Sequence, residues 1–496
     1  LSVELKFKYY LNTKRFIFIL CIILLPAVSY AQSVRSTSTT AMDSIRRQFE
    51  KEATQTIADF EAYSKKAREE YEKYEAQARA DYSRYTRSIK QTWGGDSIVD
   101  NTPTQWVEYS NDYQNRSIVN FDKGKILVEV ALEDGNTMDS ATINACLAVA
   151  IERMLNSQGS TCPYPSSVDV SKPLTNNPVL DGLVDFSMYK PDKSLELTGQ
   201  NPTLTRTAPP TPTVKGKKLT LNNNQKEDSS GDSTTTGITM ARRVQEEGNR
   251  GSNNPLANKR EDAHRRAEQK AQAWQNESEK AIMIKTIAAQ SKKKITKIKG
   301  NDGKVRQVVQ IEMNLVSDNL SKNAALYKDL VAEFSQIFQI EQPLIFAVME
   351  QESRFNPEAT SWVPAYGLMQ LVPTSGGLDA YNYVYKNCWV PTRSYLFIPR
   401  NNIELGTAYL RVLMNQFSSV TDPHCRRLCV IAGYNTGAGN VSRAFTGATN
   451  LNKAIPLINK YNYEQLYHHL TNRLSTSEAR NYVSGVSKRR EKYLKP

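Results

Sequence analysis

The sequence predicts a multidomain protein with a long N-terminal helix, a small α+β domain, a partly disordered insert and a mainly α C-terminal domain. The chain has 496 residues, more than one hydrophobic core normally holds. Its apolar residues change from helical spacing to strand alternation and then back to helical spacing. Only 39% of the residues are hydrophobic, so part of the chain is not expected to join a core. The expected segments are 1–31, 32–97, 98–170 with a strand at 304–316, 171–303 and 318–496.

Residues 1–31 have the pattern of a secretion signal. Basic residues precede an apolar run at 16–28, and Ser29-Tyr30-Ala31 offers a small-x-small cleavage site. The apolar run is short for a membrane span, although an uncleaved anchor remains the alternative. Large residues precede Cys21, where a lipid-attachment site needs small ones. Export to the periplasm is therefore expected, and association with the outer membrane is left open.

The chain is basic, with a formal net charge of +13. A basic surface favours acidic partners, such as an anionic membrane face or the carboxylates of a cell wall. Nucleic acid is also negatively charged and could bind a basic surface. Export and the lack of a recognised nucleic-acid-binding motif argue against it as a partner. An anionic envelope surface is therefore the expected partner, and nucleic acid is not.

Five cysteines follow the signal sequence, and export makes disulfides feasible. Cys146 could pair with Cys162, and Cys388 could pair with Cys425, which leaves Cys429 over. His424, Cys425 and Cys429 also form a faint metal-ligand pattern, but a structural zinc site uses four ligands. A disulfide or a buried thiol is therefore the favoured interpretation, and neither a metal nor another cofactor is expected.

Residues 42–93 predict one long amphipathic helix. Apolar and tyrosine residues recur at spacings of three and four from Ile45 to Ile89, and charged residues occupy the other faces. Neither glycine nor proline interrupts the pattern until Gly94. The stripe drifts from the strict heptad of a coiled coil, so the helix is expected to be a stalk or to pack on a neighbouring domain.

A small α+β unit is predicted next. Alternating residues at 117–121 and 125–132 flank Asp122-Lys123-Gly124, which is a hairpin signal. Asp139 or Ser140 can cap a helix that runs to about residue 155. The alternation returns at 305–316, and we expect this late strand to complete the same sheet.

The intervening segment has a different composition. Residues 196–256 are rich in Thr, Pro, Asn, Ser and Gly and bury too little apolar surface to offset the entropy of ordering. From 255 to 294 the pattern becomes basic and helical, which indicates a solvated linker helix or a contact with an anionic surface.

Four short blocks in the C-terminal region carry the chemistry. They are Glu352-Ser353, Gly367-Leu368-Met369-Gln370, Gly433-Tyr434-Asn435-Thr436-Gly437 and Glu478-Ala479-Arg480-Asn481-Tyr482. An apolar helical pattern at 332–348 leads into Glu352 and predicts a carboxyl with a raised pKa, which a general acid needs near neutral pH. Glu350 lies two residues earlier and should face another side of the helix. Cleavage of a glycosidic bond is the chemistry that such an acid indicates.

In their order these blocks resemble the catalytic domain of the soluble lytic transglycosylases, which is goose-lysozyme-like. The resemblance covers 341–483, with Gly433 in place of the family's usual alanine. Trp93-Gly94, the 117–132 hairpin and the 392–397 block are similar to the membrane-bound lytic murein transglycosylase C subfamily. The resemblance implies a lysozyme-like catalytic fold and peptidoglycan glycan strands as the substrate.

The resemblance also implies how the bond is broken. Glu352 would protonate the glycosidic oxygen after N-acetylmuramic acid and then deprotonate the C6 hydroxyl of that sugar, which closes a 1,6-anhydro ring. No water is consumed, so no second carboxylate is required to activate one. The other block residues would bind the substrate or support Glu352: Ser353, Gly367, Met369, Gln370, Tyr434, Asn435 and Tyr482.

Two alternatives remain open at the level of sequence. A hydrolytic muramidase on the same fold would need a carboxylate that holds water, and Glu358 and Asp379 are the candidates within reach in sequence. A non-catalytic cell-wall-binding scaffold would use the long helix and the basic insert instead. The intact Glu352 and its four blocks argue against the scaffold.

Overall fold

The computed structural model describes residues 37–133, 139–196 and 277–494. The chain divides into two compact units. One contains the described residues up to Lys190 and from Ile284 onward, and the other spans Pro191–Met283, of which 191–196 and 277–283 are described. The predicted secretion signal at 1–31 and the low-complexity stretch at 197–256 lie outside the described residues.

The predicted long helix is confirmed as α1, Thr37–Trp93, which has 57 residues. Its buried face begins at Ala67 and continues through Tyr71, Ala78 and Ile89 to Trp93. Of the earlier members of the apolar stripe, Phe49 and Ile57 are exposed, whereas Phe60 is half-buried. Gly94 ends the helix with a φ of 80°, and a Cβ there would lie 2.6 Å from the carbonyl oxygen of Lys299. Only glycine fits this close approach without strain.

A five-stranded antiparallel sheet follows, with the order β1-β2-β3-β5-β4. The strands are β1 Gln105–Tyr109, β2 Asn115–Asn120, β3 Lys125–Glu133, β4 Lys294–Lys299 and β5 Val305–Asn314. The predicted hairpin is β2–β3, and the late strand β5 pairs with β3 as expected, with Val128 opposite Ile311. The alternation of apolar residues in β5 places Val309 and Ile311 in the core beside β3.

Two further elements complete this part of the chain. Helix α2, Ser140–Asn156, is capped by Asp139, whose carboxylate accepts from the Thr142 N–H at 2.7 Å, and it packs on β3. Helix α3, Glu277–Gln290, precedes β4. The prediction of a basic helical linker up to residue 294 was therefore wrong at its end, because Lys294–Lys299 pairs with β5 as an edge strand. Its exposed lysines are typical of a protected sheet edge.

The C-terminal part of the chain is helical, with loops. Its helices are α4 Asn319–Leu326, α5 Lys328–Phe338, α6 Gln342–Ser353, α7 Leu378–Tyr385, α8 Arg393–Phe397, α9 Pro399–Gln416, α10 Pro423–Thr436, α11 Ala438–Thr446, α12 Leu451–Ile458, α13 Tyr463–Arg473 and α14 Ser477–Leu494. The apolar run of α6 is fully buried, including Leu344, Ile345 and Val348. Helix α6 packs along α14 and ends where Arg354 and Phe355 adopt positive φ. This arrangement sets Glu352 on the last turn of a buried helix.

The predicted disulfides are not formed. Cys146, Cys162, Cys388, Cys425 and Cys429 are all free, and four of them are buried. Each has other neighbours: the Cys162 thiol contacts the Tyr164 carbonyl, the Cys425 thiol contacts the Tyr461 carbonyl, and Cys388 packs in a cluster with Tyr71 of α1. The structure thus has buried thiols at four of these positions and a half-buried thiol at Cys146.

The described residues contain neither a cluster of metal-binding side chains nor a helix suited to span a membrane. Across 37–133, 139–196 and 277–494, no group of three or more His, Cys, Asp and Glu side chains is placed to hold a metal ion. No helix in the described part of the chain is both long and apolar enough to cross a membrane.

Candidate active site

Glu352 lies on the last turn of α6, where the helix meets the loop that carries Gly367 and Gln370. Its carboxyl is half-buried, and its Oε1 accepts a hydrogen bond from the Tyr482 hydroxyl at 2.6 Å. Loss of water around the carboxyl raises the pKa of Glu352 to about 8. The Tyr482 hydrogen bond opposes this shift, and the negative charge of Glu478 adds to it. Glu352 is therefore protonated at neutral pH while it still has access to solvent.

Glu350, two residues earlier, has the opposite environment. Its carboxylate is buried and forms ion pairs with Arg354, Arg489 and Lys492. The Tyr493 hydroxyl also donates to it, and these partners hold the pKa of Glu350 below its usual range despite burial. Glu350 is a fixed charge between α6 and α14, as its spacing from Glu352 predicts.

Ser353 is fully buried, so its hydroxyl faces protein and not solvent. It donates to the carbonyls of Met349 at 3.0 Å and Leu368 at 2.7 Å, and it accepts from the Phe355 N–H. These bonds join the end of α6 to the Gly367–Gln370 turn. The arrangement indicates a positioning role for Ser353 in place of a contact with substrate.

The Gly367–Gln370 turn depends on an unusual backbone. Gly367 has a φ of 75°, and a Cβ there would lie 2.4 Å from both the Asn402 side chain and the Leu396 carbonyl. Gln370 also has a positive φ of 46°. Its side-chain amide donates to the carbonyls of Ala359 and Gly367. Its Oε1 is buried and has no hydrogen-bond partner within the described residues.

Asn402 on α9 organises this turn, and the sequence did not single it out as part of the site. Its Oδ1 accepts from the Met369 N–H at 2.7 Å, and its amide donates to the carbonyls of Tyr366 and Leu396. Asn402 is fully buried, so all three bonds form away from water. A polar residue within an apolar helical stripe was the available signal, but it does not reveal which turn the side chain holds.

Tyr434 and Asn435 follow on α10. The buried Tyr434 hydroxyl donates to the Met369 carbonyl at 2.9 Å. Burial, and to a smaller extent the charge of Glu352, hold the pKa of Tyr434 well above its usual range. Asn435 is half-buried, and its amide donates to Glu478 at 3.2 Å. The structure therefore brings Glu352, Met369, Tyr434 and Tyr482 together, with Asn435 and Glu478 at the exposed side.

Glu478 and Arg480 belong to the same short block, but they do not form an ion pair with each other. Arg480 donates to the Leu474 carbonyl, while Glu478 is exposed and accepts from Asn435. Glu478 is the carboxylate whose charge acts on Glu352, and the sequence had not assigned it that role.

The two carboxylates considered for a water-holding role lie elsewhere. Glu358 is buried and accepts from the Ser160 N–H at 2.6 Å, in contact with the part of the chain that contains the sheet. Burial raises its pKa to about 8. Asp379 is on the exposed side of α7, and burial of its carboxyl raises its pKa while the charge of Arg68 on α1 lowers it. Neither is among the groups that shift the pKa of Glu352.

The segment after Glu352 is tied to the sheet-containing part of the chain. Arg354 forms an ion pair with Asp122 at 2.8 Å. The Asn356 amide donates to the carbonyls of Thr102 and Pro103, and Glu358 accepts from Ser160. Three side chains that lie between Glu352 and the Gly367 turn therefore have partners that are distant in sequence.

Two protein-family models match the chain. The transglycosylase SLT domain matches residues 329–455, which include Glu352, the Gly367–Gln370 turn and Tyr434. The N-terminal domain of membrane-bound lytic murein transglycosylase C matches residues 79–152, from the second half of α1 to α2.

Individual proteins match over similar parts of the chain. Membrane-bound lytic murein transglycosylase C of Cronobacter sakazakii is 38% identical over 200 residues, which are 40% of this chain and 54% of that protein. The protein of the same name from Sodalis glossinidius is 40% identical over 191 residues, 38% of this chain and 52% of that protein. The chain thus spans about half the length of these relatives.

A solved structure is similar over a smaller part. The 70 kDa soluble lytic transglycosylase of Escherichia coli is 25% identical, with a TM-score of 0.26, over 34% of this chain and 24% of that one. The matches to family models and to relatives confirm the resemblance that the four blocks and the hairpin predict. The chain is thus similar to membrane-bound lytic murein transglycosylase C, and two separate regions of it match the N-terminal domain of that protein and the transglycosylase SLT domain.

Proposed function

We propose that this protein is a lytic transglycosylase that cleaves the β-1,4 bond between N-acetylmuramic acid and N-acetylglucosamine in peptidoglycan. The observation that carries the proposal is the state of Glu352. A half-buried carboxyl with a pKa of about 8 is protonated at neutral pH and can reach a bound glycan. Its position, within a region that matches the transglycosylase SLT domain, supports the same chemistry.

The reaction uses one carboxyl twice. Protonated Glu352 gives its proton to the glycosidic oxygen, the bond from C1 to that oxygen breaks, and N-acetylglucosamine leaves with a free 4-hydroxyl. The resulting carboxylate then removes the proton from the C6 hydroxyl of N-acetylmuramic acid as O6 bonds to C1. The products are a 1,6-anhydro end and a regenerated acid, and water takes no part.

The surroundings of Glu352 favour this cycle over hydrolysis. Tyr482 holds Oε1 at 2.6 Å and stabilises the carboxylate after the proton has left. Glu358 is engaged by Ser160, which leaves it poorly placed to activate water at Glu352. Glu478 would be the next candidate for a hydrolytic partner, since its charge acts on Glu352.

The remaining predicted site residues divide into two groups. Ser353, Met369, Tyr434 and Tyr482 are buried and hold the turn and the acid in place. Asn435 is half-buried on the exposed side and is the group that we assign to substrate contact, together with the Gly367–Gln370 turn as a wall of the cleft.

We further propose that the protein acts after export, in the periplasm or at the outer membrane. The relatives that match are named as membrane-bound, and the basic composition of the chain suits an anionic envelope.

Digestion of purified peptidoglycan, followed by mass spectrometry of the released muropeptides, tests the proposal. The wild-type protein should release fragments with 1,6-anhydro ends, and Glu352→Gln should release almost none. Glu464→Gln, at an exposed position on α13, is the matched control and should retain activity. Reducing ends in place of anhydro ends would establish a hydrolase, and unchanged release by Glu352→Gln would exclude Glu352 as the acid.

A further inference from the structure

A second cleft lies where α1, the loop around Tyr164 and the helical region meet. It encloses about 180 Å³ and is half open to solvent. Six residues define what we call the tyrosine slot: Tyr82, Tyr85, Tyr164, Tyr366, Phe397 and Arg393. Glu352, Gln370, Tyr434 and Tyr482 do not line it, so the slot is separate from the candidate active site.

The slot has an aromatic wall on each side. On one side Tyr164 packs against Tyr82 and Tyr85, with ring centroids 5.2 and 5.6 Å apart. On the other side Tyr366 and Phe397 form an edge-to-face pair at 5.6 Å. Within the described residues no ring contact joins the two walls, and the Arg393 guanidinium lies over the Tyr164 ring, 4.5 Å from its centroid. The cleft of about 180 Å³ is the space that remains for a ligand.

Several polar groups in the slot lack partners. The hydroxyls of Tyr85 and Tyr366 make no hydrogen bond to any described residue, although both line the space. The Nε of Arg393 is buried and also has no partner. The two hydroxyls are not among the buried atoms without a partner, so they are open to the cleft, whereas the Arg393 Nε is enclosed by protein. A ligand in the cleft can therefore form hydrogen bonds with both hydroxyls in place of water.

The two cations around the slot are already paired. Arg393 is paired with Asp169 at 2.9 Å, and Arg79 is paired with Glu75 at 2.8 Å. The Tyr82 hydroxyl donates to Asp100, which forms no ion pair with a described residue. The remaining negative charge disfavours an anionic ligand, so the ligand should be neutral, with apolar faces and a polar edge. A pyranose ring has this character, since its C–H faces pack on aromatic rings and its hydroxyls form hydrogen bonds.

We propose that the tyrosine slot is a second carbohydrate site, which binds one neutral N-acetylated amino-sugar unit of a glycan strand. The class of sugar rests on the proposed function, whereas the walls and free donors of the slot do not depend on it. A strand held there as well as in the active site would remain bound after one cleavage.

The test uses the full chain with Glu352→Gln and chitotriose, three β-1,4-linked N-acetylglucosamine units, in isothermal titration calorimetry. Two binding sites should be seen. Adding Tyr85→Phe and Tyr366→Phe removes hydroxyls without protein partners, so folding should be retained. Each substitution should weaken one site about three- to tenfold, the equivalent of one hydrogen bond, and leave the other unchanged. Tyr467→Phe, half-buried on α13, is the matched control.

Each alternative outcome overturns the proposal. A single site, or two sites that ignore both substitutions, would show that the slot binds no sugar. Binding of a muropeptide stem, but not of chitotriose, at the tyrosine-dependent site would assign the slot to peptide. Failure of the proposed function is recognised separately, because it would appear as unchanged muropeptide release by Glu352→Gln while the calorimetry is unaffected.

Discussion

At Glu352, two neighbours act on the same carboxyl in opposite directions. The Tyr482 hydroxyl stabilises the ionised form, and the charge of Glu478 destabilises it. A general acid must be protonated in the free enzyme, so the alkaline limb of the kcat/KM profile should follow the pKa of Glu352, about 8. Substitutions of the two neighbours should therefore move this limb in opposite directions.

Tyr482→Phe should move the alkaline limb to higher pH, because it removes the hydrogen bond that favours the carboxylate. It should also lower kcat about ten- to a hundredfold, since the acid loses the group that orients it. The measurement is the rate of muropeptide release across a pH series, with Tyr467→Phe as the control. Full activity with an unmoved limb would show that Tyr482 only fills space.

Glu478→Gln should move the alkaline limb to lower pH. Its charge raises the pKa of Glu352, and glutamine keeps the size of the side chain and a partner for Asn435. Well below the limb Glu352 is protonated in both proteins, so the rate there should change little. The same pH series with Glu464→Gln alongside gives the comparison. A large loss of rate at low pH would instead assign Glu478 a direct part in the reaction.

At the residue scale, the sequence identified the candidate acid, but it did not identify all of the residues that position it or shift its pKa. Glu352 and Tyr482 were both predicted from short motifs, and the structure places them in contact. Asn402 and the effect of Glu478 were missed, because a motif shows which residue types recur and not which distant backbone group a buried amide will meet. The three backbone contacts of Ser353 were also not visible in the sequence.

At the level of elements, the Gly367–Gln370 turn is held between α6 and α9. Ser353 reaches it from α6, and Asn402 reaches it from α9. Gly406, one turn further along α9, leaves room for the Met369 side chain. A Cβ at Gly406 would lie 2.3 Å from the Met369 sulfur and 2.8 Å from its Cβ. The short distance to the Met369 Cβ is the more costly one, because this atom can move only if the backbone of the Gly367–Gln370 turn moves with it.

Gly406→Ala should therefore destabilise the protein and disturb the site. Alanine is favoured over glycine in a helix by about 1 kcal/mol, but overpacking costs about 1–3 kcal/mol and should outweigh this gain. Urea unfolding should show a net loss, and activity should fall because Met369 accepts from Tyr434. Gly95→Ala, with nothing within 4 Å of the added Cβ, should stay within about 0.5 kcal/mol of wild type.

The elements themselves were predictable where the apolar pattern was regular. The alternation in β5 identified it as a partner of the 117–132 hairpin although more than 170 residues separate them. Strand β4 was missed because its lysines continue the basic pattern of the preceding segment, and an edge strand has little buried surface to mark it.

At the scale of the whole molecule, the buried side chain of Asp169 connects α1 to the helical region. Asp169 accepts from Arg393 at 2.9 Å, from Tyr74 of α1 at 2.7 Å and from Ser394 at 2.6 Å. Its side chain is 3% exposed. Such contacts between residues far apart in sequence were not predictable from local patterns, which indicated only that the helix could pack on a neighbour.

Asp169→Asn should lower the free energy of unfolding by about 3–5 kcal/mol, because it leaves the Arg393 charge buried without its counter-ion. Asp181→Asn, at an exposed position, is the control and should cost less than about 0.5 kcal/mol. Urea unfolding of both variants gives the comparison. Equal midpoints would show that the pair contributes nothing to the docking of α1.

The hydrogen bonds that Asn356 and Glu358 make to Thr102, Pro103 and Ser160 limit how this chain can be recombined. The two regions that match separate family models, 79–152 and 329–455, therefore cannot be exchanged independently between relatives. A hybrid that joins the helical region of this chain to the sheet of a relative would leave the Glu358 carboxyl facing a foreign loop, directly upstream of the Gly367 turn. Successful grafts should therefore carry residues 101–108 and 158–162 together with the loop that they hold.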